Sequence, residues 1–205
     1  MKNISFPCYN CKSSNTQSDL FCQSCNIIQP PTINNHFEKF SLQQSFVIDL
    51  VKLEDRYLML QQKLHPDQFS NKSEIEKTLA LKHSISLNLA LETLKSSLPR
   101  SEYILKENGL LVNQDNKQSR APEPALLQDI LEARIALEEA EVETDLTTLQ
   151  NDNKRKISDT IKLLEKLFSK EEFDIAAQET IKLRYLEKVS EEIEIKLHLI
   201  ENAAN

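Results

Sequence analysis

The sequence predicts an all-α protein with a small cysteine-rich segment in front, and three observations lead to this. The 205 residues include one glycine and seven prolines, and the second half consists almost entirely of helix-forming residues. Apolar residues recur three and four positions apart along several segments, which is the pattern of one buried helix face. All four cysteines fall before residue 26. We therefore expect helical domains behind a segment organised by its cysteines.

Composition and charge narrow the function classes. Apolar residues make up 40% of the chain, which is enough for a packed core. The formal net charge of −7 argues against a general nucleic-acid binder, which needs a basic surface. The sequence contains no run of 18 apolar residues, and residues 1–7 resemble neither a secretion signal nor an Arg-rich presequence. We therefore expect a cytoplasmic protein without membrane association.

The cysteines form two knuckles, Cys8-x2-Cys11 and Cys22-x2-Cys25. Four thiolates at this spacing can surround one zinc ion tetrahedrally. Two disulfides are disfavoured in a reducing cytosol, and a redox Cys-x-x-Cys would accompany a βαβ pattern that is missing. Iron in the same four-sulfur site stays chemically possible. We predict structural Zn²⁺ in a module that ends near residue 33. Residues 27–35, which include Pro30 and Pro31, are interpreted as a short linker.

The next segment is organised around His65, Pro66 and Asp67. The preceding helix is predicted to start after an Asp49 N-cap, and its apolar stripe comprises Leu50, Leu53, Tyr57, Leu60 and Leu64. Pro66 cannot continue that helix, so His65 and Asp67 are displayed at its end. A second periodic helix follows, with Leu87, Ala90, Leu91 and Leu94 on one face. This predicts two antiparallel helices joined by a His-Pro-Asp tip.

A His-Pro-Asp tripeptide alone would be an ordinary turn with a solvated histidine, but its context here resembles a J-domain. Further residues narrow the resemblance to the HscB family, namely Asn88, Ala90 and Leu94, and then Leu98, Arg100, Tyr103, Leu105 and Gly109. Gly109 lies just past the last periodic residue, where a left-handed helix C-cap favours glycine, and Lys106 suits the helix dipole. Some eukaryotic members of that family carry an extra four-cysteine module in front.

The resemblance implies that this part of the chain binds a DnaK/HscA-type ATPase chaperone. His65, Pro66 and Asp67 would dock on the chaperone together with the cations of the preceding helix, which are Lys52, Arg56 and Lys63. By analogy, Asp67 would accept charge-assisted hydrogen bonds from a chaperone arginine, Pro66 would fix the tip, and His65 would orient it. The helix departs from the family because Met59, Gln61 and Gln62 interrupt its cations, which implies weaker electrostatic steering.

Beyond a polar hinge at residues 114–122, three helices are predicted over residues 123–149, 152–168 and 171–200, and short breaks favour a three-helix bundle. The first helix carries eight acidic residues between Glu123 and Asp145, against only Arg134, which is typical of a solvated face. The resemblance implies that this helix binds an IscU-type iron–sulfur scaffold protein. The residues carried over by position are Leu127, Leu131, Glu132 and Glu139, together with Tyr185 on the last helix. Gln128 and Ile135 depart from the family pattern, which has an apolar and an acidic residue there.

These observations predict a zinc module at 1–33, a J-domain at 34–112 and a C-terminal helical domain at 113–205, with the two helical domains forming an L shape as the resemblance implies. The leading hypothesis is a co-chaperone that presents an iron–sulfur scaffold to an ATPase chaperone. A general J-protein for another client and a zinc-knuckle nucleic-acid adaptor remain as alternatives. An enzyme is the weakest hypothesis, because no Gly-rich phosphate loop occurs and an exposed tip offers no pocket to tune a pKa.

Overall fold

A computed structural model of the chain describes residues 5–16, 19–33, 35–112, 122–140 and 142–203. The hinge predicted at residues 114–122 lies outside these residues except for its last position. The described helices confirm the predicted all-α fold class with a four-cysteine segment near the N-terminus. The chain divides into two compact units, Met1–Gln44 with Ile48–Ser96 and Ser45–Val47 with Ser97–Asn205. No helix of the described residues is long and apolar enough to cross a membrane.

The first unit contains the cysteine segment together with the helix pair. Two short strands, β1 (Ser5–Pro7) and β2 (Ser14–Thr16), pair antiparallel and flank the first knuckle. An isolated antiparallel bridge between Phe21 and Ile28 closes the second knuckle in the same way. The sequence did not predict these strands, because three-residue pairings of polar residues leave no periodic signal.

The helix pair consists of α2 (Leu50–Leu64) and α3 (Glu74–Lys95), preceded by the short α1 (His36–Lys39). Asp49 caps α2 as predicted, since its carboxylate accepts the Lys52 amide hydrogen at 3.1 Å. Ser73 and Glu76 form a complete capping box at the start of α3. Leucines from both helices are fully buried between them, although Leu50, the first member of the predicted stripe, is exposed: Leu53, Leu64, Leu94.

The first helix of the second unit is α4 (Ser97–Glu107), which tolerates Pro99 because a proline in the first turn removes no intrahelical hydrogen bond. The helix ends as predicted at Gly109, whose φ of +80° is left-handed. The amide of Leu110 donates to the Leu105 carbonyl at 2.9 Å and the amide of Gly109 to the Lys106 carbonyl at 3.0 Å, which is a Schellman cap. In the division into compact units, α4 belongs with the C-terminal helices, whereas the sequence analysis placed the domain boundary after residue 112.

The C-terminal helices are α5 (Pro124–Glu139), α6 (Glu143–Ser169) and α7 (Phe173–Ala203). The predicted helix limits at 149 and 152 were wrong, because α5 ends ten residues earlier and α6 runs through the polar stretch around Asn153. That polar stretch resembled a break, but the Asn153 amide is buried and donates to the Leu186 carbonyl at 2.8 Å and to the Ser190 hydroxyl at 2.7 Å. The real break, at Ala140, contains neither glycine nor proline. Ala140 is buried with neighbours from all three helices: Leu137, Leu146, Val189, Ile193.

Candidate functional site

The His-Pro-Asp tip lies at the end of α2. His65 leaves helical geometry (φ −60°, ψ 131°) and Pro66 opens a single 3-10 turn, Pro66–Phe69. The aromatic ring of Phe69 is buried and anchors the far side of this turn to the unit. The Asp67 side chain is 89% exposed, and its carboxylate pairs with no lysine or arginine among the described residues. The local fold therefore projects a carboxylate into solvent from a turn that proline and a buried aromatic hold at both ends.

His65 orients this turn from within. Its Nδ1 atom accepts the backbone amide hydrogen of Asp67 at 3.3 Å, in the manner of a helix N-cap. Since an accepting Nδ1 carries no proton, the ring proton of the neutral imidazole is assigned to Nε2. The Asp67 carboxylate lies 3.6 Å from the same Nδ1 atom. The imidazole thus acts on the backbone at the start of the turn and leaves the carboxylate free for another molecule.

The three cations predicted on α2 differ in their surroundings. Lys52 and Lys63 are exposed, and the ammonium of Lys52 lies 3.2 Å from the carboxylate of the N-cap Asp49. Arg56 is half-buried, and its Nη1 atom donates to the carbonyl oxygens of Phe40 and Ser41 at 2.6 Å each. The backbone of Ser41 is left-handed, with a φ of +52°. Arg56 therefore holds the turn after α1, a role that the sequence analysis missed because the partners are backbone atoms 15 and 16 residues away.

The four cysteines converge on one point. Their sulfur atoms all lie within 4.8 Å of one another. The Sγ atoms of Cys8 and Cys25 are 3.7 Å apart, and those of Cys11 and Cys22 are 3.6 Å apart. A tetrahedral ion with metal–sulfur bonds of about 2.3 Å requires sulfur–sulfur distances of roughly 3.8 Å. The four side chains therefore fit a metal ion, with one pair of sulfurs buried (Cys8, Cys22) and the other pair reaching toward the surface (Cys11, Cys25).

The backbone of each knuckle supports this arrangement. Lys12 and Asn26, the residues that directly follow the second cysteine of each pair, both have positive φ angles, +63° and +54°. Asparagine tolerates this conformation better than other side chains, whereas lysine adopts it only where the surroundings require it. The hydroxyl of Ser13 lies 3.1 Å from the Cys22 sulfur. This hydrogen bond outweighs burial and lowers the pKa of Cys22 to about 5. At Cys25 the Ile27 backbone acts in the same direction, but burial and the hydrogen bond to Cys11 outweigh it and raise the pKa to about 11, so the thiolate is favoured at Cys22 and not at Cys25.

A metal held by all four cysteines would act as a cross-link. Such an ion would join β1, β2 and the second knuckle, which otherwise share few apolar side chains. Four thiolates fill a tetrahedral shell and leave no position for a substrate. The donor set fits zinc and does not by itself exclude iron.

The predicted scaffold-contacting residues of α5 form an exposed face. Leu127, Leu131 and Ile135 are 50%, 59% and 45% exposed and lie four residues apart, so they form one apolar stripe. Glu132 and Glu139 are exposed beside it, and the Gln128 amide donates to the Glu132 carboxylate at 3.0 Å. Exposed apolar groups bordered by carboxylates are typical of a protein-binding surface.

The opposite side of α5 is attached to α7. Leu137 packs with Val189 and Ile193 in a buried cluster. The ammonium of Lys196 donates to the carbonyl oxygens of Leu137 and Glu138 at 2.5 and 3.1 Å, which satisfies the C-terminal end of α5. Tyr185, the remaining predicted contact, is half-buried on α7 one turn before Val189. The apolar stripe is therefore left facing away from the core.

The C-terminal helices match a known family. A model described as the HSCB C-terminal oligomerisation domain matches residues 122–194. An iron–sulfur cluster co-chaperone protein HscB homolog of Arabidopsis thaliana is 35% identical over 191 residues, covering 93% of this chain and 74% of that protein. The iron–sulfur cluster co-chaperone protein HscB of Homo sapiens is 31% identical over 195 residues, covering 92% of this chain and 81% of that protein.

Solved structures agree with these sequence matches. The crystal structure of the human co-chaperone protein HscB has a TM-score of 0.86 and 30% sequence identity, and the match covers 93% of this chain and 98% of that one. The chaperone HscB from Vibrio cholerae has a TM-score of 0.72 and 28% identity, and the match covers 81% of this chain and 99% of that one. Both likenesses extend well beyond the C-terminal helices.

Proposed function

Since the chain belongs to the HscB family of iron–sulfur cluster co-chaperones, we propose that it links an iron–sulfur scaffold protein to an ATPase chaperone. The His65–Asp67 tip would stimulate ATP hydrolysis by a DnaK/HscA-type chaperone. The apolar stripe of α5, with its carboxylates, would bind an IscU-type scaffold. The chain itself would hydrolyse nothing and would act by shifting the conformational equilibrium of its partner.

The geometry of the tip supports the chaperone half of this proposal. An exposed carboxylate on a fixed turn is prepared to accept charge-assisted hydrogen bonds from an arginine, which favours the partner conformation that supplies one. Pro66 and the buried Phe69 restrict the turn before binding, so little conformational entropy is lost on docking. Only a differential affinity of this kind can bias the nucleotide cycle of another protein.

Lys52 and Lys63 would provide the electrostatic attraction along α2, because both are exposed. Arg56 would contribute less, since its guanidinium already donates to two carbonyl oxygens. We therefore expect Arg56→Ala to act mainly by loosening the turn after α1, whereas Lys63→Ala would slow association in a salt-dependent way.

Single-turnover ATP hydrolysis by the chaperone tests the tip directly. We expect Asp67→Asn to lower the stimulated rate at least tenfold, because the neutral amide loses the charge of the acceptor. Glu92→Gln is the matched control, since it removes one exposed carboxylate from α3 in the same unit. Equal stimulation by Asp67→Asn and the wild-type protein would refute the proposed role of the tip.

For the metal centre we propose Zn²⁺ held by Cys8, Cys11, Cys22 and Cys25 in a structural role. The convergence of the four sulfur atoms within 4.8 Å of one another supports an ion held by all four cysteines. Metal analysis of the purified protein identifies the bound ion. Its colour is a second criterion, because a four-sulfur iron site is coloured and a zinc site is not. Four titratable thiols without bound metal would contradict the proposal.

A general J-protein with another client is the second candidate, since the tip would serve it equally well. The exposed Leu127–Leu131–Ile135 stripe favours the scaffold. Proteins that co-purify with the intact chain would discriminate between the two candidates: a scaffold protein supports the first, and a different client without the scaffold supports the second.

A further inference from the structure

A fully buried glutamine connects the metal centre to helix α3. The Gln29 side chain donates through Nε2 to the Cys8 sulfur at 3.5 Å and to the Ile27 carbonyl at 2.9 Å. The Gln29 backbone carbonyl accepts a hydrogen bond from Nε2 of His83, at 2.8 Å, across 54 residues. His83 lies on α3 and is itself buried. One residue therefore contacts both a metal ligand and the helix that follows the His65–Asp67 tip.

The orientation of the Gln29 amide suits a metal-bound sulfur. The Ile27 carbonyl fixes which end is nitrogen, because a flipped amide would place two oxygens 2.9 Å apart. The amide therefore presents an N–H group to Cys8, which a thiolate accepts more strongly than a thiol does. The other end, Oε1, is buried and has no hydrogen-bond partner in the described part of the chain, which is unfavourable. The Gln29 side chain therefore relies on the Cys8 sulfur and the Ile27 carbonyl as its two acceptors.

His83 completes the connection as a neutral donor. Burial lowers its pKa, and the nearby charge of Lys39 acts in the same direction, although the Gln29 carbonyl opposes both. A carbonyl oxygen can only accept, so Nε2 carries the proton.

A cavity of about 40 Å³ lies beside the hydrogen bond between His83 and Gln29, bordered by Leu20, Pro30, Leu64 and His83, among others. Because packing between the cysteine segment and α3 is incomplete there, this hydrogen bond matters more. Leu64 is the last residue of α2, directly before the tip.

We infer that Gln29 and His83 couple the metal centre to helix α3, so that loss of the metal loosens α3 and the base of the His65–Asp67 tip. A metal at the cysteines would fix the Cys8 sulfur in position as an acceptor for the Gln29 amide, and the Gln29 carbonyl would in turn hold the Nε2–H group of His83. By reciprocity, a variant that breaks the His83 hydrogen bond must also weaken metal binding. The inference depends on a metal at this site and not on the proposed chaperone or scaffold partner.

Hydrogen exchange of the full chain tests the coupling, with Zn²⁺ bound and after removal by a chelator. We expect metal removal to speed exchange at residues 79–90 of α3 at least tenfold, while α7 exchanges unchanged as an internal reference. Equal exchange of α3 in both states would overturn the inference. Because no partner protein is present, this result is independent of the proposed chaperone and scaffold roles.

Variants separate the two steps of the connection. Gln29→Met removes the amide but keeps the backbone carbonyl, and we expect it to lower Zn²⁺ affinity about tenfold or more in competition with a chromophoric chelator. His83→Phe should lower Zn²⁺ affinity in the same direction and abolish the metal dependence of α3 exchange, and His83→Gln, which keeps an N–H donor, should restore part of both. Ser84→Ala is the control, since Ser84 is the buried polar neighbour on α3. Unchanged affinity in Gln29→Met, or an equal loss in Ser84→Ala, would refute the connection.

Discussion

The double substitution Leu127→Ala with Leu131→Ala tests the proposed scaffold-binding face quantitatively. Each change removes three carbon atoms, which are worth about 2.4 kcal/mol when fully transferred out of water. Leu127 and Leu131 are 50% and 59% exposed, so roughly half of this free energy is still available for binding. The pair would then contribute about 2.5 kcal/mol, which corresponds to a roughly 60-fold weaker dissociation constant.

Isothermal titration calorimetry of the chain with an IscU-type scaffold protein measures this change. Burial of an apolar stripe also predicts a negative heat-capacity change of binding, which should become smaller in the double variant. Ile195→Ala with Leu199→Ala is the matched control, because these α7 side chains are 60% and 64% exposed at the same spacing of four. Both double variants should keep the fold, since surface truncations alter stability little.

Two results would refute the reasoning. A change of less than threefold in the dissociation constant for the α5 variant would mean that the stripe stays exposed in the complex. An equal loss in the α7 control would mean that the scaffold reads general surface hydrophobicity rather than this face. A separate test concerns the carboxylates of Glu132 and Glu139 beside the stripe. If scaffold binding depends strongly on salt and this dependence disappears in Glu132→Gln with Glu139→Gln, these carboxylates steer the association.

Two further predictions concern stability. Gly109→Ala should destabilise the unit that contains α4 by about 1 kcal/mol in urea unfolding, because the φ of +80° disfavours a Cβ atom although no neighbour lies within 4 Å of it. Gly109→Asn should lose less stability, since asparagine tolerates this backbone conformation better. No loss of stability in either variant would contradict the Schellman cap. Burial, reinforced by the charges of Glu102 and Glu191, raises the pKa of Glu187 above its unfolded value near 4.5. The protonated carboxyl therefore contributes fully to folding stability below the unfolded pKa, and this contribution is lost as the pH rises through the folded pKa. Glu187→Gln should therefore raise the melting temperature at pH 7 and not at pH 4, and a destabilised variant at pH 7 would show that the carboxylate is favourably placed.

Local signals in the sequence were sufficient for the features that involve neighbouring residues. Asp49 and Gly109 are a cap and a left-handed terminus, and each depends on contacts within four or five positions. The helix pair followed from a 3.6-residue apolar period, and the cysteine cluster followed from spacing alone. The break at Ala140 was missed because nothing in its own residues terminates a helix. That break depends on packing against Val189 and Ile193, about 50 residues away.

The roles of Arg56, Gln29 and His83 could not be read from the sequence for a related reason. Arg56 and His83 donate to backbone carbonyls, and Gln29 accepts through its own backbone carbonyl. Every residue has the same carbonyl group, so the residue types do not reveal such a pairing. The sequence identified Arg56 as a surface cation and placed Gln29 in a linker.

The observed position of Gln29 shows that the cysteine segment is attached to the rest of the first unit. A linker would leave the four-cysteine cluster free to move, whereas a fully buried glutamine hydrogen-bonded to a cysteine sulfur and to α3 makes the cluster part of the first compact unit. Any metal held by these cysteines would then be bound by the same compact unit that carries the tip.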